Sequence, residues 1–75
     1  MDLFIVEDSI PVRERLVRSL EGLEGLDIVG TAEDVTAAIA GLEHNAPDAL
    51  ILDLQLPSGS GLQVLRAVRE KLPGM

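Results

Sequence analysis

Three carboxylates in this chain stand where a charged side chain needs a reason. Asp53 lies in "ALILDLQLPSGSG", residues 49–61, an aliphatic run that breaks into Pro, Ser and Gly. Glu7 and Asp8 follow directly on another aliphatic run, Leu3 to Val6. If the two runs are neighbouring strands, the three acids meet at one edge, and their repulsion raises at least one pKa unless a cation neutralises the group. Mg²⁺ suits such a site, because it is commonly held by one or two carboxylates while it keeps waters and a phosphate oxygen as its other ligands. A carboxylate so placed can attack phosphorus and form an acyl phosphate. Asp53 is the better nucleophile, since it stands alone on its run before a Gly/Ser loop with room for a phosphate, whereas Glu7 and Asp8 read as a metal-holding pair. The spacing equally fits acids that mark a strand end, or that sit in a turn near the positive end of the next helix.

The elements that would position these acids follow from hydrophobic pattern and punctuation, which divide the chain into three units, each a strand followed by an amphipathic helix. The first strand, Leu3 to Val6, is wholly apolar, as expected where both faces of a sheet are covered. Its helix has Ser9 as N-cap, Pro11 in the first turn, and Val12, Leu16, Val17 and Leu20 as the inward stripe. Gly22 and Gly25 end it, and "LDIVGTA" supplies the second strand, in which Gly30 marks a close approach. Asp34 caps a second helix through Val35, Ala38, Ile39 and Leu42, which Asn45 and Pro47 end. His44, in the last turn of that helix, is placed to interact with free carbonyls and the helix dipole. The third strand is Ala49 to Leu54, and the third helix runs from about Leu62 to Leu72 with Leu62, Leu65, Val68 and Leu72 inward. Strand–helix alternation predicts an α/β fold with a parallel sheet and right-handed crossovers, whose ligand crevice lies beyond the carboxyl ends of the strands.

Composition bounds the function. At 75 residues the chain forms one small domain that buries only about 60% of its unfolded surface. It has no cysteine, which excludes disulfides and thiolate chemistry. No apolar run approaches the roughly 20 residues of a membrane span, and "MDLFIVED" is too short and too acidic for a secretory signal, so a soluble cytoplasmic protein is expected. A net charge of −7 with six Lys and Arg argues against a nucleic-acid footprint. Arg13, Arg15 and Arg18 read as a solvated helix face, with Glu14 and Arg18 spaced i,i+4.

Three segments, "FIVEDSIPVRERL", "GTAEDVTAAI" and "PDALILDLQLPSGSGLQVLRAVR", resemble the receiver domain of bacterial two-component response regulators, in order and across essentially the whole chain. An acidic pair after the first strand, combined with Asp-x-x-x-Pro-x-x-x-Gly after the third, is a specific signal. The resemblance implies that Asp53 accepts a phosphoryl group from a histidine kinase and that Asp8 binds Mg²⁺ directly, with Glu7 acting through water. It implies further that the backbone carbonyl of Gln55 is a protein ligand and that Pro57 and Gly61 shape the loop. The stretch "RERLVRSLEGLEGLDIVGTAED" is similar to regulators with a C-terminal helix-turn-helix output domain, through which alone DNA would be a partner.

The resemblance implies a flavodoxin-like doubly wound sheet. Its five units would take about 125 residues, so residues 1–75 correspond to the first three, with strand order 2-1-3. The family's phosphate-binding Ser or Thr after the fourth strand and its Lys after the fifth belong to the other two units. In that order the third strand is an edge, and "ALILDL" exposed there predicts dimerisation through third strands or exchange of segments. A rival reading is a half-domain that only self-assembles, without phosphotransfer. A haloacid-dehalogenase-like phosphatase also uses an aspartate after a strand with Mg²⁺, but such sites resemble Asp-x-Asp and the second position here is Gln55. A nucleotide or flavin module is disfavoured because "EDSIPV" is acidic where a phosphate cradle wants Gly and free N–H groups. The expectation is a phosphoacceptor rather than an enzyme.

Overall fold

In a computed structural model of the chain, which describes residues 1–56, 59–72 and 74, β1 (Asp2–Val6) is the central strand of a parallel sheet. β2 (Asp27–Ala32) lies on one side of it and β3 (Ala49–Leu52) on the other, giving the expected order 2-1-3. Two short strands not foreseen from the sequence, β4 (Gln55–Leu56) and β5 (Gly59–Ser60), pair antiparallel just beyond β3. The helices are α1 (Ile10–Leu20), α2 (Val35–Asn45) and α3 (Gly61–Lys71).

Alternation along β1 separates two faces. Phe4 and Val6 join Ala32, Val35, Ala38, Leu42, Leu56 and Val64 in the buried core beneath α2 and α3. Leu3 and Ile5, also buried, turn to the other face. Right-handed crossovers put α1 on that second face, because the chain steps from β1 to β2 in one direction and from β2 to β3 in the other.

The caps form as expected. Ser9 accepts from the Val12 N–H at 3.4 Å and Asp34 from the Ala37 N–H at 2.8 Å. The expected close approach at Gly30 is that of an aromatic ring. A Cβ at Gly30 would lie 2.7 Å from Phe4 Cε2, and one at Gly41 would lie 2.5 Å from Phe4 Cζ, so two glycines make room for one edge of the ring. The register of β1 against β2 shifts at this point, from Leu3 opposite Ile28 to Phe4 opposite Gly30.

Three expectations about packing are corrected. Val12 is 43% exposed and no residue of α1 is buried; the half-buried positions of the helix are Arg13, Leu16, Val17 and Leu20. In α3, Leu62 and Leu65 are 58% and 44% exposed, while Val64 is fully buried. The rotation of α3 is set at its start, where Ser60 and Gln63 form a capping box and Gly61 packs on the backbone of Asp53 and Leu54. β3 stops at Leu52 instead of Leu54, since Leu54 is exposed and its carbonyl turns to accept from the Gly61 N–H at 3.0 Å. Pro57, expected to shape this loop, lies outside the described residues.

Candidate functional site

The backbone ladder delivers the acids to one place. Val6 pairs with Ala32 on one side and with Leu52 on the other. The ladder then runs one residue further on both flanks: the Glu7 N–H donates to the Ala32 carbonyl at 2.9 Å, and the Asp53 N–H donates to the Val6 carbonyl at 3.0 Å. Glu7 and Asp53 therefore leave adjacent strands at the same level, and Asp8 follows in the turn to α1. Each of the three offers a carboxylate oxygen, and these oxygens all lie within 4.8 Å of one another. Glu7 and Asp53 are half-buried and Asp8 is exposed.

Electrostatics divides the roles within this trio. Burial, a hydrogen bond to Asp53 and the negative charges of Asp53 and Asp8 push Glu7 above the usual glutamate range, an effect that the Asp8 N–H partly offsets. Asp53 is held below its ordinary value, first by the Gln55 N–H, which donates to Asp53 Oδ1 at 3.0 Å, then by its hydrogen bond with Glu7. Glu7 thus holds its proton more tightly than an ordinary glutamate, and Asp53 holds its proton less tightly than an ordinary aspartate. An ionised carboxylate at the mouth of the sheet is the form required of a nucleophile. Three hard oxygen donors held this closely fit a small divalent cation such as Mg²⁺.

Of the residues expected at the site, Glu7, Asp8 and Asp53 come together. Gln55 contributes its N–H to the Asp53 carboxylate. Gly61 abuts the acceptor turn, since a Cβ there would lie within 2.4 Å of the Asp53 carbonyl oxygen. Asn45 ends α2 before β3 begins, which puts the exposed His44 at the opposite end of the sheet from the acids.

One residue near the site was misassigned. Glu14 and Arg18 do form the exposed i,i+4 pair, at 3.6 Å. Arg13 is no part of a solvated face: it is half-buried and its Nη1 donates to the Glu7 carbonyl at 3.0 Å. The sequence signal was its phase, since 13, 16, 17 and 20 share one side of a helix.

Comparison with known proteins places this geometry. The family model described as the response regulator receiver domain matches residues 3–75. A protein-glutamate methylesterase/protein-glutamine glutaminase 6 of Anaeromyxobacter dehalogenans is 38% identical over 71 residues, which is 95% of this chain and 20% of that protein. The DNA-binding transcriptional activator DevR/DosR of Mycobacterium tuberculosis is 36% identical over 73 residues, covering 97% of this chain and 34% of that one. The crystal structure of the response regulator domain of Thermotoga maritima CheB superposes with a TM-score of 0.92 at 25% identity, over 97% of this chain and 55% of that chain. The chain spans a fifth to a third of the length of those two curated relatives. With acids, sheet order and family match in agreement across nearly every residue, the chain belongs to the response regulator receiver domains of two-component signalling, built on a flavodoxin-like fold.

Proposed function

We propose that residues 1–75 are the first three of five βα units of a receiver domain, and that Asp53 is the phosphoacceptor for a histidine kinase. The observation that carries this reading is the convergence of Glu7, Asp8 and Asp53, with carboxylate oxygens within 4.8 Å of one another, at the carboxyl ends of β1 and β3. An Asp53 oxygen forms the new O–P bond as the P–N bond to the donor imidazole breaks, and the departing electron pair returns to that nitrogen. Asp53 is consumed in the step and turns over no substrate, so the module acts as a signal acceptor.

Asp8, Asp53 and the Gln55 backbone carbonyl would hold Mg²⁺ directly, with Glu7 holding it through water. The cation supplies neutralisation of charge on the transferring phosphoryl oxygens. The Gln55 N–H keeps Asp53 ionised, and the exposed Asp8 leaves the mouth open to a donor. The reading places the protein in the cytoplasm, where such kinases present their phosphohistidine, with DNA reached only through an output domain.

Self-association is part of this reading. Among the described residues no strand pairs with the far edge of β3, and Leu54, Leu62 and Leu65 are exposed. A second copy of the 75-residue chain would pair its β3 there across a two-fold axis. Size-exclusion chromatography with light scattering should find a dimer, and a monomer at high concentration rejects this pairing.

Incubation with acetyl phosphate and Mg²⁺, followed by intact mass, tests the acceptor. A single phosphoryl adduct that disappears in Asp53→Ala is expected. An adduct that survives that substitution, or no adduct in the parent protein, refutes the assignment.

A further inference from the structure

The turn carrying Glu7 and Asp8 is tied by one side chain in addition to the ladder and helix bonds of its backbone. The Glu7 N–H is held by the Ala32 carbonyl, and the Glu7 carbonyl is held by Arg13 Nη1 at 3.0 Å. The Arg13 backbone N–H donates to the Ser9 carbonyl at 2.9 Å. Arg13 therefore closes the turn twice, with its main chain at the start of α1 and its side chain at the end of β1.

We propose that Arg13 is a positioning residue for the cation site, clamping the Glu7 carbonyl and so setting the peptide plane from which Asp8 is presented. The inference rests on reading Glu7, Asp8 and Asp53 as the Mg²⁺ site. The Glu7 carbonyl and the Asp8 N–H belong to one planar unit and point in opposite directions. With the carbonyl held by Arg13, the direction of the Asp8 N–H is fixed as well. Rotation of that unit would break the Arg13 contact and swing the Asp8 side chain away from Asp53. A guanidinium suits the task, because a charged donor on a planar fork makes a stronger and more directional bond to a carbonyl than a neutral one.

Charge and positioning predict opposite outcomes when Arg13 is removed. Deleting the positive charge that sits on the Glu7 backbone carbonyl should tighten Mg²⁺ binding if charge alone matters. Loss of the clamp should weaken it, as loss of a group that orients metal ligands commonly does, by about tenfold or more.

Mg²⁺ is titrated calorimetrically into the parent protein, Arg13→Met, Arg13→Lys and Arg18→Met. Arg18→Met makes the same charge change at an exposed site on the same helix, where the arginine pairs with Glu14. Amide exchange at Asp8 is followed in EDTA. The expected result is roughly tenfold weaker Mg²⁺ binding and faster Asp8 exchange in Arg13→Met. Arg18→Met should bind as tightly as the parent or slightly more tightly, and Arg13→Lys should fall between. Circular dichroism establishes that each variant is folded; should Arg13→Met not fold, Arg13→Lys must show the weaker binding. Parental or tighter affinity in the folded Arg13 variant overturns the inference while leaving the metal site standing. No Mg²⁺ binding by the parent overturns both.

Discussion

Replacing Gly41 by alanine should destabilise this protein, although the same change in the middle of an open helix would stabilise it by about 1 kcal/mol. The reason is Phe4. A Cβ on residue 41 would lie 2.5 Å from Phe4 Cζ and 2.8 Å from Cε2, about 1 Å inside carbon–carbon contact distance. The ring is 1% exposed, and Gly30 crowds the same Cε2 edge at a comparably close approach, so the packed core leaves it little room to yield. Overpacking of this kind costs about 1–3 kcal/mol. With the ring fully buried and crowded by two backbones the upper value applies, and after the helical gain about 2 kcal/mol of destabilisation remains. A domain of this length has roughly 4–11 kcal/mol in all, so urea unfolding should shift its midpoint down by about 1–2 M. Far-UV circular dichroism must follow the transition, as the chain has neither Trp nor Tyr. In a Phe4→Leu background the same Gly41→Ala change should turn stabilising, because the clash is gone. Equal or greater stability of Gly41→Ala in the parent background would refute the steric account. So would a failure of Phe4→Leu to reverse the sign.

The acids should make stability depend on pH and on Mg²⁺. Glu7 binds its proton more tightly in the folded than in the unfolded chain, so its contribution is present at low pH and is lost as pH rises through its raised value. Asp53, held low, contributes stability above its ordinary range that is lost on acidification. In EDTA, between about pH 4 and pH 7, the parent should therefore lose thermal stability relative to Glu7→Gln, and added Mg²⁺ should restore it in the parent. Parallel profiles would contradict the raised Glu7. Asp34→Ala should lower stability by about 1 kcal/mol, since the Ala37 N–H loses its cap, measured by urea unfolding. Gly61→Ala, which drives a Cβ into the Asp53 carbonyl, should slow adduct formation from acetyl phosphate more than Gly22→Ala, whose Cβ would meet nothing within 4 Å.

Much of this architecture was legible because local chemistry decides it. Ser9 and Asp34 cap through their own side chains, and apolar runs of four to six residues announce strands. Adjacency of β1 and β3, on which the acids depend, followed from the family resemblance and the strand order it implies. What escaped the sequence depends on contacts between elements. The phase of α3 escaped because Leu62 and Leu65 are as apolar as Val64, and only the capping box and the seat of Gly61 on the acceptor turn choose among them. β4 and β5 escaped because two-residue strands have no periodicity to detect. Arg13 escaped because a cation on an amphipathic helix reads as solvated unless its phase is compared with the apolar positions around it.

The arrangement explains how a cluster of mutually repelling carboxylates is kept together in a small domain. Repulsion would part the acids if their backbones could move. Each anchor is instead tied by groups that carry no negative charge: Glu7 by the Ala32 carbonyl and by Arg13, Asp53 by the Val6 carbonyl. The Gln55 N–H then fixes one oxygen of Asp53. Glu7 and Asp53 then move in opposite directions, Glu7 upward chiefly through burial and Asp53 downward chiefly through the Gln55 N–H. A divalent cation held by these oxygens would offset the repulsion without moving the backbone and would leave Asp53 ionised, the state in which a carboxylate can act as a nucleophile.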